Sequence, residues 1–147
     1  MYKHILIPTD GSPASLRAAR AGVELAAVVG ARVTAFFAAP TPTPVIYDGV
    51  LPVGYMQPDR HAEIIERAAA KYLGAIADLA RAAGVTCEAV HVTSDFPADA
   101  ILETAKRRKC DVIFMASHGR RGLSAVLLGS ETQKVLTHSK IPVVVYR

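Results

Sequence analysis

The chain has 147 residues, of which 51% are hydrophobic, and its formal net charge is +4. That length and apolar content suit one domain with a single packed core, here residues 1–147. No apolar run approaches the roughly 20 residues of a membrane-spanning helix, and the first residues lead into a strand-like segment without a signal-peptide pattern. We therefore expect a cytoplasmic protein, and the charge alone does not indicate nucleic-acid binding.

The first predicted element is a strand over His4 to Pro8, an apolar run without the alternation of a half-exposed strand. In the polar segment that follows, Ser12 and Pro13 are typical of an N-cap and a first helical turn. Asp10 leaves the strand directly and is expected at the mouth of a cleft, because ligands bind beyond the carboxyl ends of parallel strands. The next helix is predicted to bury a face made of Leu16, Ala19, Val23 and Ala26.

A second strand, Ala31 to Ala39, leads into the segment Pro40 to Pro58, which contains five prolines and two glycines. This segment is longer than an ordinary connection in a compact domain, so a functional flap and a disordered insert are both open interpretations. The helix after it is predicted to stop at Gly84. Its buried face is predicted to consist of Ile65, Ala69, Tyr72, Ile76, Leu79 and Ala83.

A third strand, Val85 to Thr93, alternates apolar and polar residues and therefore suits a position nearer an edge of the sheet. The basic run Lys106 to Lys109 lies at the end of the third helix, where cations complement the helix dipole. No aromatic residues interleave with the run to stack bases, so we interpret it as a solvated helix end. The buried face of the third helix is predicted to consist of Ala98, Ile101, Leu102 and Ala105.

The cysteines and histidines show no metal-ligand spacing. Cys87 and Cys110 lie in different apolar segments and form neither a CxxC pair nor a Cys/His cluster, which predicts two buried free thiols. No metal site is predicted from the scattered histidines His4, His61, His91 and His138.

The fourth strand, Val112 to Ala116, is again apolar throughout. Asp111 precedes it and should lie at the opposite end of the sheet from Asp10, which leaves Asp10 as the one obvious carboxylate at the mouth. The last strand, Pro142 to Tyr146, would expose unpaired backbone groups at an edge unless a second copy covers it. Alternation of strands and helices indicates βαβ units, a parallel sheet and helices on both faces.

A glycine-containing loop connects Ala116 to the last helix. Glycines let backbone amides approach a ligand, and a helix N-terminus presents free N–H groups with a positive dipole end, so the two together predict an anion cradle. The sequence Ser130-Glu131-Thr132-Gln133 fits a capping box, in which the Ser130 and Gln133 side chains would satisfy backbone N–H groups reciprocally. The helix is predicted to start at Ser130 and end near His138.

Glycines alone leave a second interpretation open. Gly119 and Gly122 are also typical of turns, and Arg120 and Arg121 of a solvated pair. Their guanidinium groups could equally reach terminal phosphates through bidentate bonds.

The spacing resembles the phosphate loop of the universal stress protein family, which reads glycine, two residues, glycine, nine residues, glycine and then serine or threonine. Here Gly119 is followed by nine residues, Arg120 to Leu128, and then by Gly129 and Ser130. Ala116 stands in place of the first glycine. The opening Ile-Leu-Ile-Pro-Thr-Asp-Gly-Ser, the strand ending in Pro40 and the closing Ile-Pro-Val-Val-Val extend the resemblance over nearly the whole chain.

The resemblance implies a five-stranded, Rossmann-like open parallel sheet of order 3-2-1-4-5, and it agrees with a homodimer through the Pro142 to Tyr146 edge. It also implies that Asp10 lies near the ribose or a phosphate-bound Mg²⁺, and that the backbone around Ala38 meets an adenine. Phosphates would be held by Gly119, Gly129, Ser130 and the amide of Glu131, with Thr132 a weaker candidate. The predicted nucleotide-binding residues are Pro8, Thr9, Asp10, Ala38, Ala116, His118, Gly119, Arg120, Gly122, Gly129, Ser130, Glu131 and Thr132.

Three functions follow as hypotheses. The favoured one is a stress-response sensor or regulator in which bound ATP or AMP orders the loop and the Pro40 to Pro58 segment. The second is a slow Mg²⁺-dependent ATPase or nucleotidyl-transferring enzyme that uses Asp10. The third is a partner-binding stress protein whose loop is vestigial because Ala116 weakens binding, an effect that depends on whether the ligand approaches that backbone closely or needs a positive φ there.

Efficient catalysis is not expected. The Walker pattern, the dinucleotide fingerprint and the G-x-S-x-G elbow are absent. Ser117 and His118 are adjacent, so a hydrogen-bonded nucleophile and base would need unusual backbone geometry, and His118 is expected to pack beside the phosphate loop.

Overall fold

The computed structural model describes residues 1–42, 58–120 and 127–147. Strands and helices alternate along the chain, as the sequence predicts. No helix among these residues is long and apolar enough to cross a membrane. The elements are β1 His4–Thr9, α1 Pro13–Val29, β2 Arg32–Ala39, α2 Pro58–Ala82, β3 Cys87–Thr93, α3 Pro97–Arg107, β4 Val112–Ala116, α4 Ser130–His138 and β5 Val143–Tyr146.

The five strands form one sheet in the order β3-β2-β1-β4-β5, and every neighbouring pair is parallel. The predicted fold class and strand order are therefore confirmed. The alternating strand β3 lies at one edge and β5 at the other. The strand order reverses between β1 and β4, so the carboxyl ends of these two strands flank a crevice.

Burial on both faces explains why β1 lacks alternation. Ile5 and Ile7 belong to the core beneath α1 and α2, whereas Leu6 belongs to the core beneath α3 and α4. All three side chains are fully buried. Parallel crossovers place helices on both faces of the sheet, so a central strand needs apolar residues at successive positions.

The buried face of α1 differs from the prediction. Leu16 is 40% exposed, and Gly22 faces the sheet instead. A Cβ on Gly22 would lie 2.8 Å from Ile7 Cδ1, so α1 lies close to the sheet at this point. The face of α1 that packs on the sheet consists mostly of small residues, and Leu16 lies outside it. In α2, Ala83 lies beyond the last helical residue and is exposed, because the helix ends at Ala82.

The amino edge of the sheet holds Asp111, which the sequence placed there, and Arg108 of the basic run. The Asp111 carboxylate accepts the backbone N–H groups of Lys3 at 2.8 Å and His4 at 3.1 Å, which confirms its position at this end. In the basic run, Arg108 is ion-paired with Glu88 of β3.

Both cysteines are free. Cys110 is buried as predicted, but Cys87 is only partly buried because it begins an edge strand. Most of the Pro40 to Pro58 segment, residues 43–57, lies outside the described residues. The two interpretations of this segment, a functional flap and a disordered insert, therefore both stay open.

Candidate functional site

A cleft of about 490 Å³ opens at the carboxyl edge of the sheet, where the strand order reverses. The ends of β1 and β2, the residues after β4 and the start of α4 all contribute to its walls. Of the predicted residues, Gly122 lies outside the described part of the chain, as does Arg121. The structure brings together Pro8, Thr9, Asp10, Ala38, Ala116, His118, Gly119, Arg120, Gly129, Ser130, Glu131 and Thr132.

Asp10 joins the first strand to the glycine loop. Its Oδ1 accepts the Ser12 N–H at 2.9 Å, and its Oδ2 accepts the Arg120 N–H at 2.8 Å. Burial raises the pKa of Asp10, but hydrogen bonds from Ser12, Arg120 and Ser15 outweigh burial and leave this pKa below its usual value. Asp10 is therefore ionised at neutral pH and fixed in orientation.

Two glycines of the loop are needed for close packing. A Cβ on Gly119 would overlap Asp10 Oδ2, so only glycine fits between this carboxylate and the cleft. The Gly129 N–H donates to the Ser117 carbonyl at 2.7 Å, and a Cβ on Gly129 would lie 3.2 Å from His118 Cα. The two glycines that predicted an anion cradle are therefore also required by close contacts within the protein.

Ala116 occupies its position without backbone strain. Among the described residues other than glycine, only Lys109 has a positive φ. The Ala116 carbonyl accepts the Thr132 hydroxyl at 3.0 Å, which ties the end of β4 to α4. Thr132 is buried, and its proton is already donated to the protein.

Arg120 lies at the rim of the cleft and reaches toward α2. Its Nε donates to the Asp10 carbonyl at 2.9 Å, and its guanidinium donates to the Tyr72 hydroxyl at 2.7 Å. The guanidinium also lies 5.5 Å from the centroid of the Tyr72 ring, a cation–π distance. These contacts link the loop after β4 to α2.

The expectation that a hydrogen bond between Ser117 and His118 would need unusual backbone geometry is wrong, because the bond forms and neither residue has a positive φ. Ser117 Oγ lies 3.1 Å from His118 Nδ1. Nδ1 is the ring nitrogen closer to the backbone, so two adjacent residues can form this contact without a turn of the chain. Ser117 is buried, however, and no carboxylate in the described residues bonds the His118 ring. The pair lacks the third group that orients the base of a hydrolytic triad.

Helix α4 begins at Ser130 and ends at His138, as predicted, but not with the predicted capping box. Gly129 is the N-cap, and no side chain caps the helix. The Gln133 side chain instead donates to the Leu128 carbonyl at 2.9 Å. Because Ser130 already lies within the helix, its hydroxyl is directed by helical geometry and is exposed at the cleft.

The far wall contains residues that sequence reasoning missed. Asp95 follows β3 and accepts the Thr41 N–H at 2.9 Å and the Thr41 hydroxyl; these hydrogen bonds lower the pKa of Asp95. Asp95 and the Glu131 side chain line the cleft, so Asp10 is not the only carboxylate there. The polar turn after β3 could have predicted Asp95, because the carboxyl ends of all strands in a parallel sheet lie at the same edge.

The cleft combines an apolar part with a polar part. Phe36, Ile101 and Met115 form an apolar floor, while Ser130 and the carboxylates lie around it. No group of three or more side chains in the described ranges could hold a metal ion. Such a site suits a ligand with an aromatic base and a polar tail. The fold and the cleft thus define a Rossmann-like α/β protein with a candidate site at the carboxyl edge of its sheet.

Comparison with known proteins narrows this class. Residues 1–147 match the model of the Universal stress protein family. A universal stress protein of Methanocaldococcus jannaschii is 31% identical over 147 residues, which cover 100% of this chain and 83% of the relative. One of Thermus aquaticus is 30% identical over 147 residues, with 100% of both chains covered. The chain belongs to the universal stress protein family.

A solved structure supports the same assignment. The crystal structure of a universal stress protein in complex with cAMP is 26% identical, with a TM-score of 0.71, and the match covers 99% of this chain and 97% of the other.

Proposed function

We propose that this chain binds an adenine nucleotide in the cleft between β1 and β4 and acts as a nucleotide-responsive regulator in the stress response. The observation that carries the proposal is the convergence at one cleft of the Asp10 turn, the end of β2 at Ala38 and the start of α4 at Ser130. A related structure, 26% identical, is a complex with cAMP, which supports an adenine ligand.

In the proposed complex the base lies on the apolar floor beside Ala38, and the ribose approaches Asp10. The phosphate lies at the N-terminus of α4, where the first helical N–H groups have no partner within the helix. Arg120 links this site to α2, so a ligand that moves the loop would also change the contact with Tyr72. We propose this contact as the route by which binding alters the surface of α2.

Two variants test the site at its two ends. Ala38→Leu fills the base region and should weaken binding of AMP at least about tenfold, because a misplaced apolar group excludes the base. Ala89→Leu, on an exposed position of β3 outside the cleft, is the matched control. Ser130→Asp places a like charge beside the phosphate and should weaken binding similarly, whereas Ala70→Asp on an exposed position of α2 should not.

Isothermal titration calorimetry with AMP, cAMP and ATP, with and without Mg²⁺, measures these affinities. Mass spectrometry of ligand released from freshly purified protein provides an independent readout. An absence of binding heat at millimolar nucleotide would contradict the proposed function. A bulky side chain at Gly129 would also block the phosphate region, but Gly129→Lys is unsuitable for this test because its Cβ would lie 3.2 Å from His118 Cα and so disturb the protein itself.

We also propose that two copies pair through β5. This strand is an edge, its Val145 is partly exposed, and Tyr146 is 39% exposed. Val145→Lys should shift the protein to monomer in analytical ultracentrifugation, because it places a charge at the proposed interface. The control Ala89→Lys changes the opposite edge. Dimers that persist in the first variant would exclude this interface.

A further inference from the structure

The Glu131 side chain connects the N-termini of two helices. Its Oε2 accepts the Ala98 N–H of α3 at 2.9 Å, and its Oε1 lies 3.2 Å from Lys134 Nζ. The N-cap residue of α3, Phe96, makes no side-chain capping bond. Glu131 therefore supplies to α3, from 33 positions away in the chain, the acceptor that a local N-cap side chain would otherwise provide.

Both helix N-termini border the cleft. Pro97, the first residue of α3, and Ser130, the first residue of α4, are among its lining residues. The positive ends of two helix dipoles would attract an anionic ligand to this corner. The Glu131 carboxylate already lies there as part of the protein, so a phosphate gains less from these dipoles than it would beside a neutral side chain.

Lys134 pairs with Glu131 from an exposed position outside the cleft lining, and the other charged groups of the wall do not offset Glu131. Asp10 and Asp95 add two more carboxylates to the lining. Among the described lining residues the only lysine or arginine is Arg120, and its guanidinium is bonded to Tyr72 at the rim. Each further negative charge on a ligand therefore meets a carboxylate-rich wall.

We propose that Glu131 is a specificity-determining residue that makes the cleft select adenine nucleotides with a single phosphate group, as a monoester or a cyclic diester, over triphosphates. This inference rests on the proposed function and names its ligand class. A phosphate monoester carries about two negative charges near neutral pH, and a triphosphate carries more. At a separation of about 8 Å, one charge pair changes affinity by a factor of about 2 to 30 before salt screening.

Calorimetric titration of the full chain with cAMP, AMP and ATP tests the assignment. The wild type should bind cAMP and AMP more tightly than ATP. Glu131→Gln keeps a side-chain acceptor for Ala98 and the backbone amide while removing the charge; it should improve the affinity for ATP about tenfold and for cAMP at most about threefold. The gain for ATP should shrink at high salt.

Asp99→Asn is the matched control, because Asp99 lies in the first turn of α3 and is exposed but does not line the cleft. It makes the same change in net charge and should leave the three affinities in their wild-type ratio. Circular dichroism melting of both variants checks that the fold is retained.

The outcomes separate the two proposals. If the wild type binds ATP as tightly as AMP and Glu131→Gln leaves their ratio unchanged, the specificity role is overturned while nucleotide binding stands. An equal change for all three ligands would make Glu131 structural only and would also overturn it. If no adenine nucleotide binds the wild type at millimolar concentration, the proposed function itself fails.

Discussion

The same glycine-to-alanine substitution should have opposite effects on stability in two helices of this protein. In α1, a Cβ on Gly22 would lie 2.8 Å from Ile7 Cδ1 and 3.1 Å from Phe114 Cδ1. In α2, a Cβ on Gly74 would meet nothing within 4 Å. Only the packing against the sheet therefore distinguishes the two sites.

Alanine in a helix interior stabilises by about 0.5–1 kcal/mol relative to glycine, which applies to both positions. Overpacking of a dense core costs about 1–3 kcal/mol, which applies to Gly22 alone because Ile7 and Phe114 are buried. We expect Gly22→Ala to lower the free energy of unfolding by about 1 kcal/mol and Gly74→Ala to raise it by nearly as much.

Urea unfolding at constant slope measures this difference. With a slope of about 2 kcal/mol/M, the two midpoints should be separated by about 1 M. If Gly22→Ala unfolds at the same or a higher urea concentration than Gly74→Ala, the close approach of α1 to the sheet is not limiting and the packing argument is wrong.

Three further predictions concern titratable groups. Burial, and then the charge of Arg32, lower the pKa of His4 from 6.5. As the pH drops through 6.5 the unfolded chain takes up the proton first, so stability should fall, and His4→Gln should weaken this dependence in urea titrations below about pH 6.5. Hydrogen bonds outweigh burial and keep the pKa of Asp10 below 3.8, so its contribution to stability is present above that value and is lost in acid; Asp10→Asn should flatten the acid limb of a stability profile, and an unchanged limb would contradict the geometry. Burial raises the pKa of Cys110 to about 11, so little reactive thiolate forms at about pH 8. A thiol reagent should therefore label native Cys87→Ser, which keeps Cys110, at least about tenfold more slowly than native Cys110→Ser, which keeps Cys87. Equal labelling rates would show that Cys110 is accessible.

Local patterns were sufficient for the elements and the parallel sheet because each strand and helix carries its own signal, whereas the strand order came from the family resemblance. The apolar run that begins at His4 has no alternation because β1 is covered on both faces, and the alternation after Val85 reflects an edge strand. The start of α4 at Ser130 was predicted from a capping box; the start is confirmed, but the capping box does not form. Because Gly129 and not Ser130 is the N-cap, Gln133 is the fourth helical residue and not the third, the position that a capping box requires.

The missed parts of the site depend on contacts between distant residues. Asp95 bonds Thr41 from 54 positions away, and Glu131 bonds Ala98 from 33 positions away. No periodicity encodes such pairs, so the sequence indicated the backbone amide of Glu131 but not the role of its carboxylate. The face of α1 was misjudged for a similar reason, since the fit of Gly22 depends on the sheet beneath it.

The hydrogen bond from the Gly129 N–H to the Ser117 carbonyl closes the segment between them into a loop with joined ends. Ser117, which follows β4, and Gly129, which precedes α4, are then joined directly, whatever the length of the chain between them. Loop closure becomes more costly only slowly with length, so insertions between the two ends should be tolerated by the fold. His118, Gly119 and Arg120 line the cleft, so a peptide tag or a fluorescent reporter inserted after Arg120 should leave these residues in place beside it.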